Sequence, residues 1–169
     1  MALFAIDNDN LQELFVDQLR DLYDGEEQIT EALPKLIDKA SSPELKGALQ
    51  EHLEQTRMQT KRLEQIFKDM GEKPTGETCK GMKGILKEGD ELVSKGGNPG
   101  VIDASVIAAC QRVEHYEMAG YGTVRRYAQQ LGRKDFAQLL GQSLSEEKEA
   151  DVILSQIAES ANVEAKKAA

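Results

Sequence analysis

Six ionisable side chains interrupt apolar helical stripes, and they come from four separate stretches of the chain. Glu26 falls four residues after Leu22 and three before Ile29. His52 follows Leu49 by three, with Thr56 four further on. Glu114 and Glu117 share a face, Glu117 lying four after Val113. Glu147 lies three after Leu144, and Asp151 follows one turn later. Burying one carboxylate without a partner costs several kcal/mol. Burying five at one level would exhaust a domain stabilised by about 5–15 kcal/mol. Two divalent cations bring four positive charges to five carboxylates and nearly balance such a site. Carboxylate oxygens with one imidazole suit iron or manganese better than a thiolate-seeking metal.

Taken singly, each residue has an ordinary reading. A mid-helix glutamate is usually solvated or paired with Lys or Arg, and a histidine on an apolar face is more often a hydrogen-bonded core residue than a ligand. Glu114 and Glu117, three apart, repel unless something cationic lies between them. His115 reads as supporting or surface, Glu27 as surface, and the run Glu146, Glu147, Glu149 as a solvated face in which only Glu147 has the inward phase. Asp151 could sit at the stripe's edge. Arg57 is the internal rival to a metal, since a cation at the right height could answer one carboxylate. Tyr23, Tyr116 and Tyr121 lie near the same levels and could donate hydrogen bonds to ligand carboxylates. Cys79 and Cys110 form no CxxC pair and are assigned no chemistry.

The elements that must position these residues are helices. Apolar residues recur at three- and four-residue steps almost throughout, and alternating stretches are absent. The pattern predicts helices over about 8–40, 43–70, 101–131 and 133–161, with a short extra one over 78–95. Pro34 should bend the first. Ser41 and Glu44 have capping-box spacing at the start of the second. Residues 71–100 are rich in glycine and form a long connection closed by a loop at 96–100. The polar tail after Ala161 is expected to fray.

Short links join helices one and two, and three and four; short links force antiparallel neighbours. Two such hairpins joined by a long crossover make an all-α, ferritin-like antiparallel four-helix bundle, a single domain over 1–169. Up-down-up-down is the competing topology. Residues equally far from a turn sit side by side at about 1.5 Å of rise each. About Gly132, Glu117 then faces Glu147, and Glu114 faces Asp151. About Ser41–Ser42, Glu26 pairs in height with Arg57, and His52 lies about one turn away.

Composition bounds the function. Thirty acids against 21 bases give a net charge of −9, so nucleic acid is a poor partner. No apolar run approaches the roughly 18 residues of a membrane span, and the first residues lack a secretory signal. Two cysteines are too few for a disulfide framework and read as reduced thiols in a cytoplasmic protein.

Leu22-Tyr23-Asp24 with Glu26, Ala32-Leu33-Pro34-Lys35, His52-Leu53 with Thr56, Glu114-His115-Tyr116-Glu117 with Tyr121-Gly122-Thr123, and Glu146-Glu147-Lys148 with Asp151 resemble the YciE/YciF ferritin-like family of bacterial stress proteins. The similarity spans residues 8 to about 160. It implies a ferritin-like bundle, often dimeric, linked to general or osmotic stress. In the wider superfamily, such as the rubrerythrins, Glu26, Glu114, Glu117 and Glu147 match carboxylate positions of a di-metal centre. Asp151 stands where rubrerythrins have a histidine, and the second helix has no inward Glu-x-x-His.

The expectation is a cytoplasmic homodimer holding two divalent ions, iron or else manganese, on Glu26, His52, Glu114, Glu117, Glu147 and Asp151. Oxygen or peroxide would take electrons from iron(II), a ferroxidase-like activity. The rival expectation is a non-catalytic structural or adaptor bundle with a degenerate site, its acids answered by Arg57. An iron-storing or DNA-protecting cage is weaker, for want of a basic arm.

Overall fold

A computed structural model describes residues 9–167, all helix apart from caps and connections. α1 (Leu11–Lys39) and α2 (Pro43–Met70) form one hairpin, and α4 (Pro99–Gln130) and α5 (Lys134–Lys167) the other. α3 (Lys80–Ser94) lies in the crossover and packs on α1 and α4.

Helix starts follow side-chain capping. Asn10, Ser42, Cys79 and Asn98 each accept a backbone N–H three residues on, and proline stands in the first turn of α2 and α4. Two expectations change here. The cap of α2 is Ser42, not Ser41, and the expected loop at 96–100 ends sooner, because Asn98 and Pro99 already begin α4. α1 continues through Pro34. The expected start of α1 at Asn8 lies outside the described residues.

Asp103, near the start of α4, decides the topology. Its carboxylate accepts the backbone N–H of Ser41 at 2.6 Å and of Ser42 at 2.9 Å, in the turn between α1 and α2. α4 therefore starts at the end of the bundle where α1 finishes, and runs antiparallel to α1. At the opposite end, Phe15 near the start of α1 stacks on Phe136 near the start of α5, with ring centroids 6.4 Å apart. The order is up-down-down-up, the ferritin-like arrangement rather than up-down-up-down.

The tail after Ala161 is the clearest departure from expectation. α5 continues to Lys167. Gly100 of α4 lies against its backbone, and a Cβ at that glycine would come within 2.6 Å of the Ala165 nitrogen. The last turns of α5 are thus a packing surface for the start of α4.

Two apolar clusters fill the bundle. One, at the Asp103 end, joins Ile29, Leu33, Leu45, Leu49, Val106 and Leu154. The other, at the Phe15 end, joins Phe15, Leu19, Leu63, Phe67, Val124 and Phe136. Between them runs a layer of buried polar side chains.

Replacing Asp103 by alanine leaves two backbone N–H groups without their charged acceptor. The expected loss is about 2 kcal/mol, a fall in Tm of roughly 4–8 °C. Thermal and urea unfolding check it.

Candidate metal centre

All four bundle helices contribute to the polar layer. α1 supplies Glu26, α2 His52, Thr56 and Gln59, α4 Glu114 and Glu117, and α5 Glu147. Each of these is buried, Glu26 and Glu147 completely. One ligand atom from each of His52, Glu114, Glu117 and Glu147 lies within 4.8 Å of the others, the spacing a bound metal ion requires. His52 Nε2 is 3.3 Å from Glu114 Oε1, so His52 joins the layer beside Glu114 of α4.

Glu26 stands beside this group, near Glu117 and Glu147. The phenol of Tyr121 donates to its Oε1. A close approach of α1 and α4 brings those two together: a Cβ at Gly120 would come within 2.6 Å of Leu22 Cδ2. Of the three tyrosines placed at these levels by spacing, only Tyr121 reaches a candidate ligand. Tyr23 donates to Glu64 at 3.3 Å. Tyr116 meets Cys79 Sγ and Asp21 Oδ2, each at 3.2 Å, beside the cap of α3.

Asp151 lies at the edge. It is half-buried, accepts from Gln111 at 3.1 Å, and faces the exposed His115, whose Nε2 is 3.4 Å away. Arg57 is not the internal cation. It is largely exposed and pairs with Glu54 on its own helix, because residue 57 follows the inward Thr56 by about 100° of helix rotation.

The basic group that does approach the layer is Arg62. It grips Glu146 with two nitrogens, at 2.6 and 2.8 Å. Gln59 links that pair to the interior, its amide donating to Glu147 Oε1 and lying 3.2 Å from Glu146 Oε2. Neither Gln59 nor Arg62 stands out by residue type. The clue was the gap between Leu53 and Leu63, nearly three turns in which a buried helix must still turn something inward. Thr56 and Gln59 fill it.

The electrostatics are those of crowded acids. Burial pushes the Glu26, Glu114 and Glu117 carboxyls well above the ordinary carboxylate range. Glu147 adds to the rise at Glu26 and Glu114, and Glu26 adds to it at Glu117. Burial also raises the Tyr121 phenol, so it stays protonated and remains a donor to Glu26. Every buried side-chain nitrogen or oxygen lacking a hydrogen-bond partner, among the described residues, belongs to this layer. These are Glu26 Oε2, both His52 nitrogens, Gln59 Oε1, Glu114 Oε2, both Glu117 oxygens and Glu147 Oε2. Buried polar atoms are ordinarily satisfied, so their concentration in one place makes this layer the candidate site for an ion.

Comparison with known proteins agrees with this architecture. The family described as a domain of unknown function, DUF892, matches residues 10–167. Protein YciF of Escherichia coli K12 is 38% identical over 149 residues, 88% of this chain and 90% of YciF. The crystal structure of that E. coli stress protein superposes with a TM-score of 0.87, covering 90% of this chain and 97% of the other at 37% identity. YcfI of Rhodopseudomonas palustris, for which a structural role has been suggested, gives a TM-score of 0.87 at 42% identity, covering 90% of this chain and 98% of its own. A protein from Xanthomonas campestris pv. campestris, 21% identical, shares the fold with a TM-score of 0.77 over 94% of this chain and 97% of its own. By family match and by sequence identity over most of its length, the chain belongs to the DUF892 family and is a relative of the stress protein YciF.

Proposed function

We propose that this protein is a stress-associated di-metal carboxylate protein that holds iron, or else manganese, in the polar layer and oxidises iron(II) with oxygen or peroxide. One observation carries the reading: the unpaired buried atoms all converge on one place, and hard oxygens with one imidazole are what such ions bind. His52, Glu114, Glu117 and Glu147 would hold the metal, with Glu26 reaching in from α1. Asp151 would be an outer ligand, since it lies at the edge of the layer with one oxygen held by Gln111.

When bound, an iron pair supplies two electrons to an oxidant. The chain's own groups do the rest. Tyr121 fixes the rotamer of Glu26, and Gln59 fixes that of Glu147 while Arg62 and Glu146 anchor Gln59 from the rim. Apolar clusters above and below the layer close it along the bundle axis. The reading includes a cytoplasmic homodimer built on the broad helix faces.

The rival reading is a structural bundle without redox chemistry. Its support is the Arg62–Glu146–Gln59 chain, which partly answers the acids from inside. Metal content separates the two. After anaerobic loading with iron(II), the metal reading expects about two ions per chain. Glu117→Ala or Glu147→Ala should remove most of them, and Asp151→Ala should remove far fewer. Elemental analysis of the folded variants checks this. A metal content near zero that Glu147→Ala leaves unchanged would refute it.

Stability should track the same layer. A carboxyl whose folded value is raised binds more protons folded than unfolded, so its stabilising effect is complete at acid pH. It is lost as the pH rises above about 4.5 through the raised folded value. Metal-free protein should therefore melt at lower temperature as the pH goes from mildly acidic to neutral. Loading with metal should remove that slope, as thermal scans across pH will show.

Arginine substitutions separate rim from surface. Arg57→Ala should change stability by less than about 0.5 kcal/mol, since its pair with Glu54 is exposed. Arg62→Ala, which releases Glu146 and loosens Gln59, should cost at least about 1 kcal/mol in denaturant unfolding.

A further inference from the structure

A cavity of about 300 Å³ opens between α2 and α5, at the small end of the range for ligand pockets. Leu49, Ala150, Ile153, Leu154 and Ile157 supply most of its apolar wall, and the half-buried Gln55 adds an amide. Exposed Glu44, Glu51 and Gln156 stand at its mouth. Two buried polar residues line it, His52 and Glu114. Both ring nitrogens of His52 and the Oε2 of Glu114 have no hydrogen-bond partner.

Small residues keep the space open. Gly47 lies within a helix, where glycine costs about 0.5–1 kcal/mol relative to alanine. Neither of the usual reasons for glycine applies to it: its backbone is helical, and a Cβ there would meet nothing within 4 Å. Gly47 and Ala48 of α2 and Ala150 of α5, all small, line the cavity.

We propose that this cavity binds a small neutral amphiphile, an apolar body with one hydroxyl-type head, seated with the head against His52 and Glu114. An O–H both donates and accepts, which matches a carboxylate oxygen beside an imidazole. An anionic head would pass Glu44 and Glu51 and end beside Glu114. A cationic head has no lone pair to accept from a ring N–H of His52, whereas a hydroxyl can donate to Glu114 and accept from the ring. The role of the site rests on the metal reading, because the head lies beside two candidate ligands; occupancy of the cavity does not.

The test is a titration of the full chain as purified, with metal content measured on the same sample. The probes are 1-hexanol, hexanoate and hexylamine near neutral pH, followed by methyl and histidine NMR signals. The expected result is saturable binding of 1-hexanol, with shifts confined to His52, Ile153, Leu154 and Ile157. Hexanoate and hexylamine should bind at least about tenfold more weakly. Ala150→Leu, filling the cavity, and Gly47→Leu, closing its mouth on an exposed helix position, should each weaken hexanol by a similar factor. Scattered shifts that do not saturate, a charged probe that binds as well as the alcohol, or wild-type affinity in Gly47→Leu would overturn the proposal. Saturable hexanol binding in a sample without metal upholds the cavity and leaves the metal reading to its own test.

Discussion

A layer of acids across the middle of the bundle sets the terms for everything around it. The layer divides the apolar interior in two, so neither half has the continuous core that a bundle of this size would otherwise build. Each half is anchored separately, by aromatic packing of Phe15 on Phe136 at one end and by aliphatic packing with α3 at the other. Helices of 28 to 34 residues are needed to span both halves and the layer between them.

The layer is not symmetric, and the asymmetry has a physical sense. On the side of Glu147 its charge is met by an amide, a glutamate and an arginine, linked in series toward the surface. On the side of His52 and Glu114 no such chain exists among the described residues, and a cavity lies between α2 and α5. One flank is held in place and the other is accessible. Glu26 takes a third position, fixed by a buried phenol that burial keeps protonated.

Most of the fold was legible because helical periodicity and capping are local. The stripes give the helices, the two short turns give the hairpins, and the length of the crossover gives the topology. Glu26, Glu114, Glu117 and Glu147 were legible for a related reason: a carboxylate in the apolar phase is conspicuous. His52 was visible by type, but the hairpin count set its height only against α1, so its approach to Glu114 of α4 was not legible. Gln59 and Arg62 were missed because glutamine and arginine are unremarkable on a helix, and their role exists only across the α2–α5 contact. Arg57 was favoured by height alone, while its phase turns it outward. The helical tail was misread because its support comes from Gly100, more than sixty residues earlier, and no local pattern records that.

Asp103 holds amide hydrogens, not side chains, in the turn between the first two helices. Such an anchor is indifferent to which residues occupy positions 41 and 42, provided neither is proline. Substitutions in that turn would forfeit at most the Ser42 cap while the chain's path stayed the same. The route of the crossover is thus insulated from drift at the very place where it is pinned.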